Sequence, residues 1–177
     1  LGPGSRGAMC PHSPAYTDAA IRVTSFLAQR YASHPAVVMW HVHNEYGAPV
    51  LECHCPTSVQ AFRDWLTARY GDIVTLNDAW GTSFWSQHYY DGAEITPPRT
   101  PSYNTFANPT QQLDFARFSS DELLDCFRAE AAVIRSRAAQ PVTTNFMHFF
   151  KPLDYWTWSQ EQDLISNDNY RLAEGLG

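Results

Sequence analysis

The chain has 177 residues, of which 44% are hydrophobic and 17% are charged, and this composition indicates a folded domain rather than a disordered segment. Its net charge is −6 and its 12 basic residues are scattered, so it lacks the clustered cationic surface that binds nucleic acid. No stretch approaches the roughly 20 apolar residues of a membrane-spanning helix, and we expect neither nucleic-acid nor membrane partners.

The first two predicted elements are a helix and a strand. Apolar residues recur at helical spacing from Ala15 to Tyr31 and predict the helix. The apolar run 36–40, continuing through Val42, has strand length and predicts a strand buried on both faces. This strand ends at Asn44 and Glu45.

A second helix is predicted to begin with the capping-box pattern at 57–60. Residues 71–112 are rich in Trp, Tyr, Pro and Asn, and we expect a long irregular loop of the kind that is often functional. Four more predicted elements follow: a helix from Gln111 to Ala139, a strand at 141–147, a short helix at 155–159 and a strand at 163–166.

The four cysteines allow either two disulfides or a metal site. Cys53 and Cys55 are separated by one residue, which suits joint metal ligation better than two separate bridges. Cys126 falls within a helical pattern, and we expect it to pack as a small buried hydrophobe. This cysteine usage favours a reducing compartment and predicts a cytoplasmic protein, although the chain begins at Leu1 and a missing signal peptide is uninformative.

The alternation of helices with strands is typical of a parallel sheet and of the α/β class. Three strands with their helices are under half of a TIM (β/α)8 barrel, which has eight of each in about 250 residues. Barrel enzymes carry their active sites at the carboxyl ends of the strands. Polar residues follow all three predicted strands there, namely Asn44 and Glu45, then Asn145, then Asp168 and Tyr170.

Glu45 is the leading catalytic candidate, because its carboxyl group follows a buried strand and lies beside the amide of Asn44. A glycosidase needs one carboxyl to protonate the leaving oxygen and a second to attack the anomeric carbon. In retaining enzymes the two lie about 5–5.5 Å apart.

Several uncommon sequence words extend this interpretation over the whole chain. They are Gly4-Ser5-Arg6, Cys10-Pro11, Trp40-His41-Val42-His43-Asn44-Glu45-Tyr46-Gly47, Cys53-His54-Cys55, Phe62-Arg63-Asp64-Trp65-Leu66, Leu76-Asn77-Asp78-Ala79-Trp80-Gly81-Thr82, Phe84-Trp85-Ser86-Gln87 and Thr143-Thr144-Asn145-Phe146-Met147. In these words and their order the chain resembles glycoside hydrolase family 42, the β-galactosidases.

The resemblance implies a partial TIM barrel covering about strands 4 to 6, with residues 1–177 a fragment of one catalytic domain that is incomplete at both ends. The implied activity is retaining hydrolysis of terminal β-D-galactosyl residues, with a β-galactoside as substrate and no catalytic cofactor. The nucleophile Glu is expected on the seventh strand, outside the fragment. We therefore expect the isolated fragment to be inactive and marginally stable. The resemblance also allows the intact enzyme to be a homo-oligomer.

The resemblance also implies roles for individual residues. Glu45 is the implied general acid/base at the end of the fourth barrel strand. Arg6 and Asn44 are the implied partners of galactose hydroxyls. Trp85 is the implied wall of the sugar pocket, and Tyr170 is expected near the nucleophile.

A metal site is the point at which the chain departs from the family pattern. The family zinc site, where present, uses an upstream Cys and a later Cys-x-Cys-x-x-Cys. Cys10, Cys53 and Cys55 match these positions, but the last position is Ser58, whose hydroxyl is a poor zinc ligand. Any zinc here is expected to be structural, and the candidates for its fourth ligand are His12, His54 and water.

Two other functions compete with the glycosidase. His41 and His43 are spaced to share a strand face and predict a metal-dependent barrel hydrolase, for which His148 and Asp168 are the evident further ligands. Alternatively, the aromatic richness allows a non-catalytic carbohydrate-binding module, although such modules are usually rich in β-strands.

Overall fold

The structure, a computed structural model, describes residues 7–98, 107–148 and 150–169, apart from the side chain of Trp85. The α-helices of this part of the chain are α1 (Pro14–Tyr31), α2 (Pro56–Tyr70), α3 (Ile73–Trp80), α4 (Pro109–Arg135) and α5 (Tyr155–Ser159). Its strands are β1 (Trp40–His41), β2 (Val142–Thr143), β3 (Asn145–Met147) and β4 (Ser166–Asp168). Two short 3-10 helices lie at Phe84–Ser86 and Gly92–Glu94.

The strands form two parallel pairs, β1 with β2 and β3 with β4. Trp40 is opposite Val142 in the first pair, and Asn145 is opposite Ser166 in the second. β2 and β3 follow each other along one stretch of chain, which we call the middle segment (142–147).

Backbone hydrogen bonds show that the middle segment lies between the other two strands. The Thr143 carbonyl accepts from the Val42 N–H on the β1 side at 2.8 Å. The adjacent Val142 carbonyl accepts from the Asp163 N–H at 3.0 Å, in the segment that leads into β4. Successive carbonyls of a strand point to opposite sides, so β1 and β4 flank the middle segment. The expected parallel order of the three segments is present, as two two-stranded sheets whose strands are shorter than predicted.

The expectation that the first strand is buried on both faces is wrong. The ladder begins only at Trp40, and the Val37 N–H closes a turn onto the His34 carbonyl. Val38 and Met39 remain 74% and 40% exposed. Val38 and Met39 therefore precede β1 and lie outside its ladder, whereas Val42 just beyond it is buried.

The irregular loop expected at 71–112 contains the unpredicted helix α3. Asp72 caps its N-terminus by accepting from the Thr75 N–H at 2.8 Å. Gly81 ends it in the left-handed region, at φ 62°, which a glycine adopts without steric cost. The helix has only eight residues, which is too short for its apolar spacing to stand out within an aromatic-rich stretch.

The other helix ends also differ from the sequence expectations. α2 begins at Pro56, a residue whose fixed φ suits the first helical position, and the expected capping box at 57–60 is not what caps it. α4 begins at Pro109 and is capped by Asn108, and it ends at Arg135 rather than at Ala139. The helices greatly outweigh the short parallel strands, which contradicts a β-rich carbohydrate-binding module.

Helix α4 connects the two hydrophobic clusters. Its second half packs on the strands and on Trp158, while its first half packs on α2 and α3 through Phe115 and Phe118.

Asp114 lies between α2, α3 and α4 with its side chain fully buried. It accepts from the Tyr70 hydroxyl and from the Trp80 indole N–H, and it pairs with Arg117 at 3.2 Å and with Arg69 at 3.6 Å. No helix of the described ranges is long and apolar enough to cross a membrane.

We predict that Asp114→Asn lowers the stability of the complete protein that carries this chain by about 1–3 kcal/mol. An asparagine keeps one acceptor for Tyr70 and Trp80, but its amide hydrogens then face the two arginines. The measurement is the shift of the thermal or urea midpoint relative to the unchanged protein. Asp125→Asn, at an exposed carboxylate paired with Arg128, is the matched control and should change stability by less than about 0.5 kcal/mol. Equal shifts for both variants would contradict the prediction.

Candidate functional site

The chain makes a tight turn directly after β1. His43 and Glu45 both have left-handed backbone angles, at φ 56° and 47°. Tyr46, which follows Glu45, belongs to the core, where its ring is buried against Trp158 with 5.2 Å between ring centroids. The buried ring anchors the turn, and Glu45 stays half-buried at the edge of the sheet.

Asn145 holds this turn from the middle segment. Its side-chain oxygen accepts from the Glu45 backbone N–H at 3.0 Å. Its amide nitrogen donates to Asn44 Oδ1 at 3.3 Å and to Asp168 Oδ2 at 2.9 Å. Asn44 Nδ2 in turn donates to Glu45 Oε2 at 3.2 Å. Four polar side chains, from the turn after β1, the middle segment and the end of β4, are therefore bonded together at one edge, whereas Tyr170, also expected there, lies outside the described residues.

This arrangement can support proton transfer at Glu45. One carboxyl oxygen accepts from Asn44, and the side chain is reachable from outside because it is only half-buried. A general acid or base needs such a carboxyl, fixed in direction and open to its substrate. The sequence placed Asn145 and Asp168 at this edge but gave neither a part in holding Glu45, because a hydrogen bond across strands depends on their register.

Three of the predicted substrate contacts stay predictions. Arg6 and Tyr170 lie outside the described residues. Trp85 lies in the 3-10 helix Phe84–Ser86, and its side chain is outside the described part of the chain. Asn44 is the predicted contact that the structure brings next to Glu45.

Cys10, Cys53 and Cys55 converge as predicted, with their sulfur atoms all within 4.8 Å of one another. The Cys10 and Cys55 sulfurs are 3.4 Å apart, and all three are free thiols. Backbone N–H groups of Ser58 and Thr57, at the start of α2, lower the pKa of Cys55 to about 7 despite its partial burial. Burial raises the pKa of Cys10 to about 12. Three converging thiols of this kind suit a soft metal ion.

The polar side chains near the cysteines have other partners. Ser58 is buried and donates to Glu122 Oε2 at 3.2 Å. His12 Nε2 lies 3.4 Å from the same oxygen, and His54 Nε2 faces Glu52 at 3.3 Å. No His, Asp or Glu within the described ranges joins the sulfurs at metal-binding distance. The structure therefore does not support His12 or His54 as a fourth ligand.

The arrangement expected for a metal-dependent hydrolase is not formed. The left-handed backbone at His43 breaks the period-two alternation, and the His43 ring packs on Tyr46 with 4.4 Å between centroids. Among the residues that the structure describes, the cysteines are the only group of three or more potential ligands close enough to share an ion. His41 and His43 are not part of such a group.

Comparison with known proteins gives one consistent result. The family 42 glycoside hydrolase model, described as beta-galactosidase, matches residues 1–175. Beta-galactosidase LacZ of Heyndrickxia coagulans is 45% identical over 170 residues, which are 95% of this chain and 25% of that protein. A beta-galactosidase of an Arthrobacter species is 47% identical over 98% of this chain and 25% of its own length. This chain therefore spans about a quarter of the length of these curated relatives.

Solved structures agree with the sequence comparison. The beta-galactosidase from the psychrophilic Marinomonas ef1 superposes with a TM-score of 0.90 at 35% identity, over 96% of this chain and 26% of that chain. The beta-galactosidase from Bacillus circulans sp. alkalophilus gives a TM-score of 0.88 at 43% identity, over 97% of this chain and 26% of that one.

We predict that Glu122→Gln makes stability less dependent on pH. Burial raises the pKa of Glu122 to about 8, well above the value of about 4.3 expected in the unfolded chain. Between these values the folded state holds the extra proton, so raising the pH destabilises the fold, by at most about 1.4 kcal/mol per pH unit. The measurement is the thermal midpoint of the complete protein at pH 5, 6, 7 and 8, before and after the substitution.

The matched control is Glu161→Gln, at a carboxylate that pairs with Arg128 near the surface. It should leave the slope of midpoint against pH unchanged. If Glu122→Gln also leaves that slope unchanged, the proton assigned to Glu122 is not there.

Proposed function

This chain belongs to glycoside hydrolase family 42, the β-galactosidases, and we propose that it forms barrel strands 4 to 6 in the TIM (β/α)8 catalytic domain of a retaining β-galactosidase. The observation that carries the proposal is the position of Glu45. Its carboxyl is directed by Asn44, and its backbone by Asn145, at the edge where parallel strands end.

In this proposal Glu45 acts twice. It first donates its proton to the glycosidic oxygen while a carboxylate attacks the anomeric carbon and the aglycone leaves. It then accepts a proton from the water that cleaves the glycosyl-enzyme, which regenerates its acid form. The attacking carboxylate is a glutamate on a barrel strand other than the three described above.

The proposal also assigns residues that contact the substrate. Asn44 is exposed, and its amide has a second hydrogen available for a sugar hydroxyl after its bond to Glu45. We assign Arg6 a second galactose hydroxyl, Trp85 the aromatic wall of the pocket and Tyr170 a position beside the nucleophile. A terminal β-D-galactosyl group is the substrate that these assignments imply.

We expect Glu45→Ala, in the complete protein that carries this chain, to lower kcat/KM for alkyl β-galactosides about 10²- to 10⁴-fold. Dinitrophenyl β-galactoside should lose far less, because its leaving group departs without protonation. Azide should restore turnover of the glycosyl-enzyme and yield β-galactosyl azide, since an anion needs no general base.

The matched control is Glu52→Ala, at an exposed carboxylate in the loop that follows Glu45. It should keep the activity of the unchanged protein on both substrates. An equal loss on alkyl and dinitrophenyl galactosides, without azide rescue, would remove Glu45 from the acid/base role.

We also propose a structural zinc ion held by Cys10, Cys53 and Cys55, with a water molecule as fourth ligand. Sulfur atoms about 2.3 Å from one zinc ion lie just under 4 Å apart, close to the separations seen here. The hydroxyl of Ser58 is engaged by Glu122 and is not needed as a ligand. Such an ion would link the segment before α1 to the loop before α2, and it takes no part in hydrolysis.

We expect roughly one zinc ion per chain in protein purified without chelator, measured by elemental analysis. Cys53→Ser should abolish binding, and Ser58→Cys should tighten it because a fourth thiolate completes the tetrahedron. Cys126→Ser is the control, because Cys126 is buried within α4 and contacts the Pro11 carbonyl rather than the other sulfurs. Metal-free protein with all four cysteines intact would count against the site.

A further inference from the structure

Asp168 has no role in the function proposed above, yet its side chain is bonded to a residue that holds the turn at Glu45. It is the last residue of β4 and is opposite Met147 in the ladder. Its side chain nevertheless reaches back to the Asn145 amide nitrogen, at 2.9 Å. Asn145 is only 8% exposed, so this bond ties the end of β4 to a buried amide that also touches the turn at Glu45.

The chemistry of these groups fixes the direction of every amide between Asp168 and Glu45. A carboxylate only accepts hydrogen bonds, so the Asn145 nitrogen must face Asp168. The Asn145 oxygen then faces the Glu45 backbone N–H, which can only donate. The second Asn145 hydrogen points to Asn44 Oδ1, which leaves the Asn44 nitrogen to donate to Glu45 Oε2.

The backbone conformation of Glu45 depends on the direction of the Asn145 amide. Its φ of 47° is in the left-handed region, which a side-chain-bearing residue rarely adopts unless its surroundings hold it there. The bond from its N–H to the Asn145 oxygen is one such restraint. If the Asn145 amide turns over, two donors face each other at Glu45 and the restraint is lost.

We propose that Asp168 is a positioning residue for the acid/base Glu45, acting through the amides of Asn145 and Asn44; this rests on the function proposed above. Asp168 does not touch the reacting atoms in this assignment. It holds the amides in the one direction that both fixes the turn and directs the Glu45 carboxyl. A loss of this direction displaces the proton donor, and it also turns the Asn44 amide that we assign to a sugar hydroxyl, an effect that every galactoside shares.

The test is Asp168→Asn in the complete protein that carries this chain, with kcat/KM measured on a methyl and on a dinitrophenyl β-galactoside. An asparagine keeps the size of the side chain but no longer forces the direction of Asn145. We expect about a 10- to 100-fold loss on the methyl galactoside and a loss at least threefold smaller on the dinitrophenyl galactoside, which needs no proton donor but shares the Asn44 contact. The ratio of the two losses is independent of how much of a preparation is folded.

Asp163→Asn is the matched control. Asp163 lies upstream of β4 and also bonds across to the middle segment, accepting from the Val142 N–H at 2.8 Å and from Arg135 at 3.3 Å. Its loss should lower the melting temperature without changing the ratio of the two activities, because it has no link to Glu45. A purely structural role for Asp168 would give the same result as this control.

A reversal of the pair provides an independent test. Asn145→Asp alone places two carboxylates side by side and should impair the methyl galactoside reaction at least as much as Asp168→Asn. The double variant Asn145→Asp with Asp168→Asn lets residue 168 donate to residue 145, which still accepts from the Glu45 N–H, while the Asn44 amide must turn to donate to residue 145. It restores the hold on the turn but not the bond from Asn44 to Glu45, so we expect it to recover about tenfold in kcat/KM on the methyl galactoside relative to Asn145→Asp alone.

The outcomes separate this inference from the proposed function. An unchanged protein that is inactive on both galactosides overturns the proposed function, and the inference with it. An active unchanged protein with equal losses on both substrates for Asp168→Asn, and no recovery in the double variant, overturns the inference alone. If Asp168→Asn yields no folded protein, the same activity ratio is measured on Asp168→Glu, which displaces the carboxylate, and an unaltered ratio there is equally decisive against the proposal.

Discussion

Parallel pairing of the middle segment with a strand on each side brings the turn after β1 and the end of β4 to the two sides of Asn145. The carbonyls of Val142 and Thr143 accept from opposite neighbours, which fixes the order of the three segments before any side chain is considered. The register of β1 with β2 ends at His41 and Thr143, because the chain turns soon after β1. Beyond that point the side chain of Asn145, rather than a backbone carbonyl, accepts from the Glu45 N–H. An amide suits this position because it offers an acceptor to one neighbour and donors to the other.

Helix α4 shows two ways of accommodating a buried carboxyl group. Asp114 is surrounded by donors and by two arginines whose outer ends reach water, so its charge is compensated within the fold. Glu122 is equally buried, and its polar partners among the described residues are the Ser58 hydroxyl and His12. Because burial lowers the pKa of His12 and raises that of Glu122, the two are better described as a neutral pair than as a salt bridge. The same helix thus contains one firmly paired carboxylate and one titratable carboxylic acid.

The sequence predicted the features that depend on periodicity and on uncommon words. The long helices, the parallel order and the convergence of Cys10 with Cys53 and Cys55 were all expected. The sequence could not predict features that depend on neighbours distant in the chain. Exposure of Val38 depends on which strands border β1, and the bond between Asp168 and Asn145 depends on the register of β3 with β4. The failed pairing of His41 with His43 has a local cause, because a left-handed residue interrupts the alternation on which the expectation relied.

One loop connects Glu45 to Cys53 and Cys55. A structural metal ion at the cysteines would therefore restrain the same loop that begins at Glu45. The loop leaves Glu45 through the buried Tyr46 and returns to the core at the buried Cys53. Gly47 allows its tight start, since its φ is 87° and an added Cβ would lie 3.1 Å from both Leu51 and Phe150. Loss of the link at Cys53 would free the far end of the loop, while Tyr46 and Asn145 would still hold the near end. A metal ion bound at the cysteines as proposed would therefore restrain the far end of this loop, whereas Asn44 and Asn145 hold the Glu45 end from the sheet.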